Sequence, residues 1–198
     1  MRSYTITKVS GTPDWSKIPT LNIDHRYFET PDSITAEAQI CYNEDAICVR
    51  LSTVEANVRA VEKGPVGMPC EDSCLEFFFC PYENDIRYFN IEFNSVGCVF
   101  LGMGPNVDKL IRLIPEDDTL APKITRREDG WEICYTVTYE FIRRIFPDFK
   151  AYSGKKMLAN CYKCADLSEP PHYMAWSPIV GEPFRFHRPE CFGEMIFE

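Results

Sequence analysis

One short stretch of the chain, "YFNIEFNSVG" (88–97), carries a phenol, two amides and a carboxylate at alternate positions. If this stretch is a β-strand, Tyr88, Asn90, Glu92 and Asn94 share one face, because side chains alternate between the two faces of a strand. The apolar residues between them then face a core. Amides donate and accept hydrogen bonds, a carboxylate accepts several, and a ring offers apolar contact. Together these groups could bind a ligand rich in hydroxyl groups; the alternative is a solvated outer face of a sheet.

Two other stretches could add to this face. In "DSCLEFFFC" (72–80), Glu76 joins the face of Glu92 if the two strands are neighbours. In "MLANCYKCAD" (157–166), Asn160 and Lys163 fall on opposite sides of a strand, and alternation does not decide which side joins. We therefore expect Glu76 at this surface and keep both Asn160 and Lys163 as candidates.

Strands must position these side chains, and the chain has the pattern of an all-β protein. Short runs rich in β-branched and aromatic residues recur between Pro, Gly, Asn and Asp. Only "YEFIRRIFP" (139–147) has helical spacing, which Pro147 ends. The pattern predicts one domain over 1–198, an antiparallel β-sandwich of jelly-roll or immunoglobulin-like type with one short helix near 139–146. The predicted strands are 4–9, 35–42, 46–53, 73–80, 87–94, 98–102, 109–114, 121–126, 130–138, 157–163 and 194–197.

The charge of the chain limits its partners. The 198 residues carry a formal net charge of −9, which argues against nucleic acid and against anionic membranes. No apolar run approaches the roughly 18 residues of a membrane span, and "MRSYTITKVS" at the start lacks the apolar core of a signal peptide. We therefore expect a cytoplasmic protein, in which the ten cysteines are reduced and structural.

The C-terminal stretch "HYMAWSPIVGEPFRFHRPECFGEMIF" (172–197) resembles the signature of family 9 carbohydrate-binding modules, which are related to the DOMON superfamily. The matching parts are Trp-Ser-Pro at 176–178 and Phe-His-x-Pro-x-x-Phe-Gly at 186–193. "EDSCLEFFFCP" (71–81) resembles the Asp-Ser-x-Glu strand of the same family, with one extra residue, and "YFNIEFNSVG" resembles the strand and turn after it. The resemblance implies a β-sandwich that binds carbohydrate, including the ends of sugar chains, without catalysis, and that carries structural calcium.

The resemblance also implies roles for individual residues. Trp176 matches one of two tryptophans that hold a sugar ring between them, and Glu76 matches a carboxylate that bonds to sugar hydroxyls. The positions that fall near further polar contacts are Asn90, Glu92, Asn160 and Lys163.

The second tryptophan of that pair is missing. In "GPVGMPCEDSC" (64–74), Met68, Pro69 and Cys70 stand where it is expected, and none of them is aromatic. Phe78, Tyr88 or Tyr173 could replace it; otherwise sugar binding is weakened, altered or lost.

Two other functions stay open. Glu76 and Glu92 could be the acid and base of a glycoside hydrolase, which needs two carboxylates about 5–10 Å apart. The chain could also be an intracellular ligand-binding or interaction domain that has lost its affinity for sugars.

No cofactor is expected apart from structural calcium. The acidic stretch "PEDDTL" (115–120) lacks the spacing of a calcium loop, which favours a solvated turn. Cys161 and Cys164 form a Cys-x-x-Cys pair, but no second pair completes a zinc site, and no Met–His pair is singled out for haem. His187 is expected to hold a loop in place through hydrogen bonds of its ring.

Overall fold

In a computed structural model that describes residues 1–116 and 119–198, the chain forms fourteen strands and one α-helix. The helix, α1, spans Tyr139–Arg143 and begins where the Thr138 hydroxyl accepts the backbone N–H of Phe141. The strands are β1 (Ser3–Lys8), β2 (Leu21–Asn22), β3 (His25–Tyr27), β4 (Thr35–Tyr42), β5 (Ala46–Val54), β6 (Cys74–Cys80), β7 (Tyr88–Asn94), β8 (Val99–Gly104), β9 (Ile111–Leu113), β10 (Lys123–Arg127), β11 (Gly130–Thr138), β12 (Lys156–Ala165), β13 (His172–Ala175) and β14 (Gly193–Phe197).

The strands make the two faces of a sandwich. One sheet, called the site sheet from here on, has the order β14–β12–β6–β7–β8–β9, and β13 followed by β3 extends it beside the second half of β12. The opposite sheet has the order β10–β11–β5–β4, with β2 next to β4. The predicted sandwich is confirmed and is mostly antiparallel. The exception is β1, which joins the two sheets and runs parallel to both β14 and β4.

The inner faces of the two sheets enclose the core. Phe77 and Phe79 of β6 and Phe89 and Ile91 of β7 are fully buried there, in one cluster with Trp131 of β11. This is the apolar face that alternation predicts. Burial of each of these side chains stabilises the fold by about 1.5–3 kcal/mol.

The outer face of the site sheet is also covered. Residues 177–192, called the covering segment from here on, lie over it and form a second buried cluster. Phe186 stacks on Tyr162 with ring centroids 4.2 Å apart, and the Tyr162 hydroxyl donates to the Phe186 carbonyl at 2.9 Å. Since every residue of β6 and β7 is buried, the alternative of a solvated face is wrong.

Three short strands, β2, β3 and β13, were not predicted. They have two to four residues, which is too few for alternation to show. All ten cysteines lie in the described residues and are free, as predicted. No helix in the described part of the chain has the length and apolar character needed to cross a membrane.

Candidate functional site

Three polar residues of the site sheet form the floor of a cleft. Glu76 of β6 and Glu92 of β7 are direct partners in the ladder, and Asn90 lies two positions before Glu92 in β7. They are 2%, 5% and 0% exposed, in that order. Both polar atoms of the Asn90 amide and Oε2 of Glu92 have no hydrogen-bond partner among the described residues. Buried polar atoms are normally satisfied, so this floor has free capacity to bind polar groups of a ligand.

Aromatic side chains stand on both sides of this floor. Beyond β12, where β13 and β3 continue the sheet, Tyr173, Phe28 and Phe184 line the cleft. The Phe28 ring centroid lies 5.5 Å from that of Tyr173 and 5.0 Å from that of Phe184. On the other side Phe100 of β8, the ladder partner of Glu92, lines the cleft. The cavity volume of about 1220 Å³ exceeds the roughly 300–1,000 Å³ typical of small-molecule sites, so a ligand larger than one ring has room.

Phe28 holds its ring at the mouth of the cleft in an unfavourable backbone conformation. The residue is 71% exposed, and its φ of +55° lies in the left-handed region. A bulky residue there costs of order 1–3 kcal/mol, and such strain is concentrated at ligand sites. Phe28 is therefore a candidate contact that its sequence context did not reveal.

Burial controls the protonation of the two floor carboxyl groups. Burial, followed by the charge of Glu92, raises the pKa of Glu76 well above 4.5, and burial raises the pKa of Glu92 to about 7. The nearby Asn90 amide partly opposes the rise in the pKa of Glu92, although the contact between the two side chains does not have the geometry of a hydrogen bond. At neutral pH the pair thus retains a proton, and the floor offers an O–H donor beside carboxylate acceptors.

His187 holds the covering segment in place, as predicted. Its Nδ1 lies 2.8 Å from the hydroxyl of Tyr88, and its ring also lines the cleft. Burial, followed by the charge of Arg185, lowers the pKa of His187 to about 4, so the ring is neutral at pH 7. Tyr88 is fully buried and does not line the cleft. The expectation that Tyr88 faces the ligand is therefore corrected: it supports His187.

Asn94 organises a turn and does not reach the cleft. Its Nδ2 donates to the Asp72 carboxylate at 2.8 Å and to the Glu62 carbonyl at 2.9 Å. Its Oδ1 accepts the backbone N–H groups of Val96 and Cys98. Because both ends of the amide are occupied and the residue is fully buried, the predicted ligand contact of Asn94 is corrected to a structural role.

Lys163 points into the sandwich. Its Nζ lies 2.8 Å from Nε2 of His172, 3.3 Å from the Glu55 carboxylate and 3.4 Å from the Ser73 hydroxyl, and it is fully buried. Burial alone would raise the pKa of Glu55, but the contact with His172 at 3.4 Å and the charge of Lys163 outweigh it and lower that pKa to about 2. Lys163 is thus part of a buried ion pair, which corrects its predicted ligand contact.

Asn160 lies on the outer face of β12 but is occupied by the covering segment. Its Nδ2 donates to the Ser177 carbonyl at 2.9 Å, and its Oδ1 accepts the Ser177 N–H at 2.8 Å. This pair of bonds fixes the start of the covering segment. The predicted ligand contact of Asn160 is corrected accordingly, since the residue does not line the cleft.

Trp176 does not stack above the polar floor, so that expectation was wrong. Its backbone N–H bonds to the Cys161 carbonyl, and its indole lies with Cys161 in the core between the sheets, 4% exposed. A Cβ at Gly193 would come within 2.5 Å of the indole, so glycine permits this close packing. Ala175, the preceding residue, pairs with Tyr162 of the outer face, and alternation then turns Trp176 inwards.

The Cys-x-x-Cys pair is not a metal site, because its members lie on opposite faces of β12. Cys161 is in the core, whereas Cys164 lies on the outer face with its Sγ 2.9 Å from Oε1 of Glu76. Among the described residues, the group of metal-ligating side chains that converges is Cys74, Glu76 and Cys164. Calcium takes oxygen ligands, so this group does not fit the calcium that the resemblance implies. Calcium stays a prediction, and the acidic stretch 115–120 lies partly outside the described residues.

Sequence reasoning found the floor but missed most of the walls. Tyr173 was one of three candidates to replace the missing tryptophan, and it lines the cleft, whereas Phe78 and Tyr88 are buried below the covering segment. Phe100 could have been found by extending the alternation to the next predicted strand, because it lies opposite Glu92.

The chain is similar to a known protein family and to several solved structures. The model of carbohydrate-binding family 9 matches residues 12–197. A crystal structure from Bacteroides uniformis ATCC 8492, of a protein thought to bind carbohydrate, is 28% identical with a TM-score of 0.82, and the match covers 100% of this chain and 99% of that one.

Two structures of a family 9 carbohydrate-binding module from Caldicellulosiruptor kristjanssonii also match. The complex with glucose is 10% identical, with a TM-score of 0.73 and coverage of 100% of this chain and 96% of that one. The complex with cellotriose is 12% identical, with a TM-score of 0.71 and coverage of 98% and 94%. A search of curated proteins finds no match. Because the family model spans nearly the whole chain, the protein belongs to carbohydrate-binding family 9.

Proposed function

We propose that the chain binds saccharides in the cleft above Glu76, Asn90 and Glu92, without cleaving them. The observation that carries the proposal is the set of buried, unpartnered polar atoms at the floor of an aromatic-walled cleft. Sugars have hydroxyl edges and apolar C–H faces, so they need both kinds of surface. The two structures of a family 9 module from Caldicellulosiruptor kristjanssonii, with glucose and with cellotriose, support this ligand class.

The aromatic walls take the place of the pair of tryptophans, of which one is absent from the sequence and the other, Trp176, lies in the core. Tyr173 and Phe28 on one side and Phe100 on the other offer rings to the apolar faces of a sugar. None of the three tryptophans lines the cleft among the described residues. The binding mode is therefore stacking on tyrosine and phenylalanine, with the polar floor bonding to hydroxyl groups.

The arrangement of the carboxyl groups favours binding over hydrolysis. Glu76 and Glu92 rise side by side from one sheet face as direct ladder partners, a position in which Cβ atoms are about 4.5–5.5 Å apart. The acid and base of a glycoside hydrolase instead flank the scissile bond.

Calorimetric titration with glucose and cellotriose tests the proposal. Tyr173→Ala and Phe28→Ala should each weaken binding about 5- to 150-fold, because loss of a stacked ring removes about 1–3 kcal/mol. Tyr152→Ala is the matched control, since Tyr152 is 60% exposed and lies outside the cleft. Failure of the wild type to bind any saccharide in a broad panel would refute the proposal. Turnover of aryl glycosides that disappears in Glu76→Gln would establish the hydrolase instead.

A further inference from the structure

The side-chain oxygens of the floor outnumber its hydrogen-bond donors, which are the carboxyl proton retained at neutral pH and Nδ2 of Asn90. Oε2 of Glu92 and Oδ1 of Asn90 have no partner among the described residues, and Glu76 stands directly across the ladder from Glu92. A sugar hydroxyl brings one donor and also needs a donor of its own. An ammonium group has three N–H donors and no acceptor, so it matches a floor that carries two carboxyl groups and an amide oxygen.

The charge of the cleft also favours a ligand with a positively charged group. Five acidic side chains line it against a single arginine, the exposed Arg185, and burial keeps the nearby His187 neutral. The acidic residues are Glu29, Glu76, Glu92, Asp108 and Asp166.

Among the described residues, no cation forms an ion pair with Glu76 or Glu92, although the charges of Arg112 and Lys163 are near enough to lower their pKa values somewhat. Arg112, beside the Phe100 wall, donates to the backbone carbonyls of Val66 and Gly67 at 3.1 and 2.6 Å. Lys163, beneath the floor, pairs with Glu55 on the inner face. A cation that enters with the ligand would therefore meet carboxyl groups that have no ion-pair partner, and charge-assisted hydrogen bonds are the stronger kind.

We propose that the preferred saccharide carries a free amino group, and that its ammonium lies between Glu76, Asn90 and Glu92. This rests on the proposed function, and it names the class of sugar for the same cleft. The amide Nδ2 of Asn90 is left to donate to a neighbouring hydroxyl, while the rings of the walls stack on the sugar face.

Three β-1,4-linked trisaccharides with the same backbone test it by calorimetry at pH 7: the glucosamine trisaccharide, its N-acetylated form and cellotriose. Each titration contains a chelator, because Cys74 and Cys164 beside Glu76 could take up a stray metal ion. For the wild type, the glucosamine trisaccharide should bind at least tenfold more tightly than the other two. In Glu92→Gln, which keeps the shape of the side chain, this ratio should fall towards one. In Glu128→Gln, an exposed carboxylate in the turn between β10 and β11, it should stay unchanged.

The possible results distinguish a failure of the amino-sugar inference from a failure of saccharide binding itself. If cellotriose binds as tightly as the glucosamine trisaccharide, or if the ratio survives Glu92→Gln, the amino-sugar inference is overturned and saccharide binding stands. If ethanolamine binds as tightly as the amino trisaccharide, the inference is also overturned, because the sugar then contributes nothing. If none of the three trisaccharides binds, the amino-sugar inference is overturned, and saccharide binding is refuted as well if the broad panel also gives no binding.

Discussion

Replacing Glu92 with Gln should stabilise the ligand-free protein at neutral and alkaline pH. In the unfolded chain this carboxyl group titrates near 4.5, whereas burial in the fold raises its pKa to about 7. Its contribution to stability is therefore complete below pH 4.5 and is lost as the pH rises through 7. The difference of roughly 2.5 pH units corresponds to about 3 kcal/mol. Gln does not ionise, so the variant avoids this loss.

Thermal unfolding of the ligand-free wild type and Glu92→Gln between pH 4 and pH 8 measures the effect. The two melting temperatures should coincide near pH 4 and differ by about 6–12 °C at pH 8, given about 2–4 °C for each kcal/mol in a chain of this size. Glu128→Gln, on the surface, should follow the wild type at every pH. A Glu92→Gln variant that is equal to or less stable than the wild type at pH 8 would refute the account of a desolvated floor.

Other substitutions test the structural roles assigned here. Because the pKa of Glu55 is lowered to about 2, the destabilisation caused by Glu55→Gln should shrink as the pH falls from 4.5 to 2. Urea unfolding over that pH range measures this change. A loss of stability that does not depend on pH would contradict the ion pair with Lys163. Trp176→Phe should lower the melting temperature yet leave saccharide affinity within a factor of about two, and Trp176→Ala should cost about 3–5 kcal/mol of unfolding free energy, because the indole fills the core. If Trp176→Phe lowers saccharide affinity without lowering the melting temperature, Trp176 contacts the saccharide and its assignment to the core is contradicted. Asn94→Ala should cost about 1–3 kcal/mol in denaturant unfolding, since it leaves the buried Asp72 carboxylate without one donor, and an unchanged midpoint would argue against that role.

The sequence was informative wherever local periodicity decides the outcome. Alternation along two long strands placed Glu76, Asn90 and Glu92 on one face, and the ladder then put Glu76 opposite Glu92. The alternation of side chains along a strand can be identified from the local sequence alone, provided that the strand is long enough.

The errors arose where a distant pairing decides the direction of a side chain. Trp176 follows β13, a strand of four residues, and its side depends on how β13 pairs with β12. The sequence did not show on which face of the sheet Lys163 lies, because that depends on the register of β12 against β6. Phe28 reaches the cleft from a turn with positive φ, which periodicity does not describe. The C-terminal motif identified the family, but it did not show which of its residues face the cleft: Trp176 lies in the core, whereas Tyr173, Phe184 and His187 line the cleft.

A crystal structure of the protein with a saccharide that calorimetry shows to bind is the most direct measurement. We expect a sugar ring above Glu76, Asn90 and Glu92, with one face against Tyr173 or Phe100 and a hydrogen bond from the ligand to Oε2 of Glu92. A saccharide bound elsewhere on the surface, with this floor left to solvent, would contradict the account.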